Sequence, residues 1–287
     1  MNKTLLKILI YILVFVVIAV CVKLYTNRDA TGKKAGDIGK TVNSVKIVSW
    51  SNGTDAQIVA MVKAADAGKI KLSDYWNVGE KRKVTLSAMS PSCGLPDSHS
   101  RQTVELVLMN VGGRTLCNGK QCSFIVGQKD CLNEPGKLNP NPWDELTWNK
   151  SNRRTWVNTT YRNAIPSTLR PVFKKFKVVT LVSKKPTYKT TYDYFTLPGR
   201  FELPFDRQYP TWKNYAKEGS AIEYYQLSSE ATNKFTGKKH LRWWTRSMYD
   251  GDGSGLSMIL CNPKNPSCDF SSSSGHHSYG ISPYGVI

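Results

Sequence analysis

The chain is poor in the residues that carry most enzyme chemistry. It has four histidines in 287 residues. His99 stands alone in a polar stretch and reads as a solvated side chain, and His276 and His277 are adjacent rather than spaced for one helix face, so no metal centre is indicated. The cysteines never fall in a C-x-x-C pair, which argues against a zinc site. No Ser-His-Asp, paired-carboxylate or phosphate-loop constellation stands out, so no catalytic residue is assigned. Acidic residues are scarce, 21 against 40 Lys plus Arg, for a net charge of +19. No RNP-type motif accompanies that charge, and nucleic acid is not the expected partner. Teichoic acid, phospholipid head groups and acidic glycans remain open, because charge alone selects none of them.

Long apolar runs are also lacking, with one exception. Ile8 to Val22 is 15 uninterrupted apolar residues, extended by Leu5, Leu6, Leu24 and Tyr25 and flanked by Lys7 and Lys23. With its lysines snorkelling it reaches the roughly 20 residues of a membrane-spanning helix. No small-x-small cleavage site precedes Lys23, so the reading is an uncleaved anchor over residues 1–25. Cys21 lacks the small residue that normally precedes a lipidated cysteine, since Val20 stands there, and reads as a plain membrane-span cysteine. Flanking charge leaves the orientation open. Residues 26–43 read as a flexible linker and residues 44–287 as one domain outside the membrane.

Within that domain, eight Trp, 14 Tyr and 21 Gly with short Thr-rich apolar runs predict an α+β fold: an antiparallel sheet, short helices and long loops. Thr54 with Gln57 is a capping box ahead of a stripe of Ile58, Met61, Val62 and Ala65, and Gly68 ends that helix. Residues 83–89 and 103–111 alternate polar and apolar and predict partnered strands. Strands are also expected over 178–182 and 188–197, and a helix after Ser151. Tyr75 and Trp76 read as core. From Lys150 to Lys217 there are 15 basic and three acidic residues, which predicts a basic patch or solvated faces. Arg153 and Arg154 are candidates for clamping an anion or, equally, for bonding loop carbonyls.

Six cysteines lie beyond Cys21, an even number that suggests disulfides in an exported domain. Tight turns favour Cys117 with Cys122 and Cys261 with Cys268, which leaves Cys93 with Cys131. Asp250 to Gly255 copies the first six positions of an EF-hand loop, but position twelve is Cys261 where a bidentate acid is needed. A Gly/Asp turn is the reading. No cofactor is expected, and calcium at Asp250 and Asp252 is the alternative.

The last 47 residues open on Trp243, Trp244, Thr245, Arg246 and Ser247 and close on Gly280-Ile-Ser-Pro283. With Trp148, Ser151 and Arg154 in a W-x-x-S-x-x-R step, this pattern resembles the DUF6273 family, with Met248 where the family usually has proline. The resemblance implies a C-type-lectin-like fold on a bacterial or phage surface and no established reaction. It implies a core of Trp76, Trp156, Trp243 and Trp244, and a closing segment on the display face. Tyr249, Asp250, Asp252, Asn262, Asn265, His276, His277 and Tyr279 are then the candidate ligand-binding residues, since Tyr, Ser, Gly and Asn give adaptable contacts at low entropic cost. The expected function is a membrane-anchored, surface-displayed module that binds a glycan, an envelope polymer or a protein through its C-terminal loops. An enzyme on a formylglycine-generating-like lectin fold and an electrostatic binder of nucleic acid or other polyanions are the alternatives.

Overall fold

The computed structural model describes residues 38–140, 147–183, 187–203, 215–226, 242–248, 256–261, 268–273 and 278–287. The expected membrane helix lies outside these residues. No helix among the described residues is long and apolar enough to cross a membrane.

The fold is α+β, with antiparallel sheets and few, short helices. A two-stranded ribbon, β1 (Thr41–Val42) and β2 (Val45–Lys46), opens the described chain. It leads into α1 (Asp55–Asp66), the helix the sequence predicts. Thr54 Oγ1 accepts from the Gln57 N–H at 3.3 Å and Gln57 Oε1 accepts from the Thr54 N–H at 2.9 Å, so two otherwise orphaned donors are satisfied reciprocally. Ile58, Met61 and Val62 are buried, and Gly68 (φ +72°) takes the left-handed conformation that stops the helix.

The central sheet is built from β3 (Lys81–Leu86), β4 (Gln102–Val111), β5 (Phe124–Gln128), β8 (Phe195–Thr196) and β12 (Tyr284–Val286), in the order β3-β4-β5-β12-β8. β3 alternates because one of its faces is wet. β5 and β12 are buried throughout, as strands covered on both faces must be. The end of the closing segment, Tyr284–Val286, is therefore an interior strand. Tyr284 pairs with Gly127 on one side and Thr196 on the other, and the last residue bonds Phe124 in both directions. Gly285 is required there: a Cβ would sit 2.7 Å from the Tyr194 carbonyl oxygen.

A helical segment runs from α2 (Asn152–Trp156) through a π-helical turn (Val157–Tyr161) into the single turn α3 (Arg162–Ala164). A π turn shifts the backbone ladder by one residue, and side chains take up the displaced carbonyls. Asn158 Nδ2 donates to the Arg154 carbonyl at 2.9 Å, and Thr159 Oγ1 donates to that of Thr155 at 2.8 Å. Asn158 also bonds Tyr194 and Phe195, which ties the helix to β8. After Pro166 a short 3-10 turn, Arg170–Val172, follows.

A two-stranded hairpin, β6 (Phe176–Ser183) with β7 (Thr187–Asp193), stands apart from the central sheet. A third sheet has the order β11-β10-β9, from β9 (Arg242–Met248), β10 (Leu256–Cys261) and β11 (Cys268–Ser273). A further short helix, α4, spans Glu223–Gln226. Trp50, Trp76, Trp148, Trp156, Trp243 and Trp244 are all fully buried.

Candidate binding face

The arginine of the Trp-Trp-Thr-Arg-Ser step, Arg246, and its partners close an ionic knot inside the protein. Arg246 on β9 grips Glu202 with both guanidinium nitrogens, at 2.7 and 2.6 Å. Arg114 binds the same carboxylate at 2.6 Å, the Tyr284 hydroxyl donates to it at 2.9 Å, and the Gly199 N–H donates to it at 2.8 Å. Burial by itself would raise the pKa of Glu202. The charges of Arg246 and Arg114 outweigh burial and hold the carboxyl below its usual range. Gly199 has no Cβ because the Arg246 guanidinium lies where one would be, 2.8 Å away. Next along β9, Ser247 donates to Glu218, whose other oxygen accepts from the Leu181 N–H at 2.9 Å. Glu218 thus pins β6 to β9. Its desolvation, offset only in part by Arg246, pushes its pKa up to about 7.

The Trp-x-x-Ser-x-x-Arg step is equally architectural. Ser151 caps α2 by accepting from the Arg154 N–H at 3.1 Å. Arg154 grips the buried Asp193 at the end of β7, with Nη2 to Oδ1 at 2.7 Å. Arg153 is fully buried, pairs with Asp97, donates to the Lys137 carbonyl at 2.6 Å and lies 4.4 Å from the centre of the Trp156 ring. Neither arginine is free to clamp a ligand. His99 is not solvated but 2% exposed. Its backbone pairs with Met89 in both directions, and its ring rests 5.1 Å from that of Trp156. Burial, reinforced by the charge of Arg153, lowers its pKa to about 4.

Of the sequence-predicted ligand residues, Tyr249, Asp250, Asp252, Asn262, Asn265, His276 and His277 lie outside the described residues. Tyr279 is half-buried, set edge-on against Trp244 at 4.9 Å, with its backbone paired to Gly136. Two expected disulfides are not formed: Cys93, Cys117, Cys122 and Cys131 are free. The tight Asn118-Gly119 turn is present, but Cys117 faces solvent at its rim while the Cys122 thiol is buried. Cys93 neighbours the Thr159 hydroxyl at 3.4 Å, and burial pushes the Cys131 thiol up to about 12. Cys261 and Cys268 are register partners at the end of the β10–β11 ladder. No group of potential metal ligands occurs among the described residues.

A feature that charge counting along the chain blurs is the outward face of the β6–β7 hairpin. Strand alternation with the observed register puts Lys177, Val179, Thr190 and Tyr192 on one side, with Lys177 directly opposite Tyr192, and continues that side to Tyr188 opposite the buried Leu181. Phe176, Val178, Thr180 and Asp193 take the other side and are buried, with Thr191 half-buried and Lys189 exposed among them. Tyr192 is 51% exposed. On one flank of it, the Tyr194 ring carries the Arg162 guanidinium at 3.9 Å and the Lys175 ammonium at 5.4 Å. On the other, the Lys217 ammonium lies 5.1 Å from the Tyr188 ring centre. Each such contact is worth about 0.5–1 kcal/mol at an exposed site, enough to bias where the cation sits without neutralising it. The nearest acid in sequence, Asp193, is spent on Arg154 beneath the face.

No curated protein and no solved structure matches the chain. A family profile does: it covers residues 124–275, just over half of the chain, from the start of β5 to a point short of Gly280–Pro283. The chain belongs to the family described as a domain of unknown function, DUF6273.

Proposed function

We propose that this protein is a binding module, held at the membrane by residues 1–25 and displayed outside it, on a C-type-lectin-like scaffold. It recognises an envelope polymer, a glycan or a surface protein. The observation that carries this reading is the outer face of the β6–β7 hairpin, where an exposed tyrosine lies between two tyrosines that already hold cations. Such a face suits recognition, because a ring offers contact area at low entropic cost and the flanking charges steer an acidic ligand toward it. Tyr249, Asn262 and His276 are proposed as further ligand contacts.

The test is retention of the full chain, in detergent micelles, on immobilised envelope polymers, glycans and surface proteins. Saturable retention that weakens when Tyr192 becomes alanine supports the reading. Absence of retention on every member of the set sinks it. A weaker signal after alanine replacement of Tyr249, Asn262 and His276 brings the terminal loops into the site.

A further inference from the structure

The chemistry of the hairpin face narrows the ligand, and this step rests on the binding-module reading above. Three ligand classes make different demands. Neutral sugars are read through hydroxyl groups, by carboxylate and amide side chains that accept and donate together. The described face offers none of these, only the hydroxyls of Thr190 and the tyrosines. Single-stranded nucleic acid needs a row of open rings, one for each stacked base. Here Tyr194 and Tyr188 already carry cations on their rings, which leaves Tyr192 as the open platform. What the face supplies in quantity is positive charge. Arg162 and Lys175 sit at one end, Lys177 in the middle and Lys217 at the other, spread over about 20 Å of strand from Tyr194 to Tyr188.

We infer that this face binds a linear polyol-phosphate chain, laid along the strands with its phosphates on Lys175, Arg162, Lys177 and Lys217. Tyr192 provides an apolar rest for the carbon skeleton between two phosphates. A ring held beneath each terminal cation restrains the side chain and lowers the entropy lost when a phosphate arrives.

The experiment compares three probes on the full chain in micelles: poly(glycerol phosphate), an oligothymidylate of equal charge and neutral dextran. Poly(glycerol phosphate) is expected to bind tightest, with log affinity falling against log salt at a slope of about −3, as four phosphate contacts require. Lys177→Glu and Lys175→Glu should each weaken it about tenfold at about 0.1 M salt, where exposed charges more than about 10 Å apart are screened. Lys189→Glu makes the same charge change on the opposite side of β7 and should stay within about twofold. Equal losses from Lys189→Glu and Lys177→Glu would reduce the face to diffuse attraction and overturn the inference. Tighter binding of the oligothymidylate, lost with Tyr192→Ala, would replace it with base stacking. Dextran or protein retention that is indifferent to both lysines would overturn the ligand assignment and leave the binding module standing. No retention of any probe or surface ligand would remove both.

Discussion

Glu218→Gln and His99→Gln should tilt the pH dependence of stability in opposite directions. Burial raises the Glu218 pKa from 4.5 to about 7, so in the folded state this carboxyl resists ionisation. Its contribution is full below the unfolded value of 4.5 and is lost as pH rises to about 7. Burial, with Arg153, lowers the His99 pKa from 6.5 to about 4. Its contribution is full above 6.5 and is lost as pH falls toward 4. Each displacement is worth about 3 kcal/mol, so across pH 4.5 to 6.5 the two slopes nearly cancel in the native protein. Glu218→Gln removes one slope and leaves a variant that loses stability on acidification relative to the native chain. His99→Gln does the reverse, and the double variant restores the native profile. Thermal melts at pH 4.5, 5.5, 6.5 and 7.5 read the effect, at roughly 2–4 °C per kcal/mol. Parallel profiles for all four proteins would refute the reasoning, because they would mean that neither group is desolvated as the fold requires.

Glu202→Gln removes the charge that holds Arg246 and Arg114 and should cost about 3–5 kcal/mol in urea unfolding. Lys174→Met, which breaks the partly exposed pair with Asp66, should cost less than about 1 kcal/mol, and equal losses would deny the knot its weight. Thr54→Ala should cost about 1 kcal/mol by opening the α1 capping box, measured by the same unfolding curve, and no loss would show that Gln57 does not depend on its partner. In native maleimide labelling followed by peptide mapping, Cys117 should react quickly, whereas Cys122 and Cys131 should stay protected until the fold opens. A Cys117–Cys122 crosslink found before labelling would contradict the turn as described.

Sequence patterns were legible wherever a local rule governs the outcome. Thr54, Gln57 and Gly68 announce α1 because a capping box and a left-handed glycine are interactions among near neighbours. Period-two alternation announces β3 and β4 because one face of that pair is wet. Trp76 reads as core by its type and Trp156, Trp243 and Trp244 by the resemblance, and all four are buried. His99 was not legible as core, since its neighbours Asp97, Ser98 and Ser100 are polar while the groups that bury it, Met89 and Trp156, come from elsewhere in the chain. Counting charge from Lys150 to Lys217 blurs the picture for the same reason. Arg153 and Lys174 find their acids outside that stretch, 56 and 108 residues away, while Glu202 within it is taken by Arg246, 44 residues on. A sum along the sequence cannot see such pairs, and so it does not show where the exposed positive charge lies, on one side of the β6–β7 hairpin.

That division of labour bears on how variation in this family should be read. Trp243, Trp244, Arg246 and Ser247 are buried, and so are Trp148 and Ser151. Each fills the interior or bonds a group that would otherwise be buried unpaired. The motif that identifies the family therefore specifies how three layers are fastened, β9 to β6 through Glu218 and β9 to the central sheet through Glu202 and Tyr284. It says nothing of a ligand. Groups that could choose a ligand, Tyr192, Lys177 and Lys175, stand on an outward face where a substitution breaks no buried bond. Motif substitutions should then lower stability and binding in proportion, whereas substitutions on the hairpin face should change binding at constant stability. A motif residue whose replacement abolished binding in a fully stable protein would mean that the ligand reaches the interior, and would move the site from the hairpin to the knot.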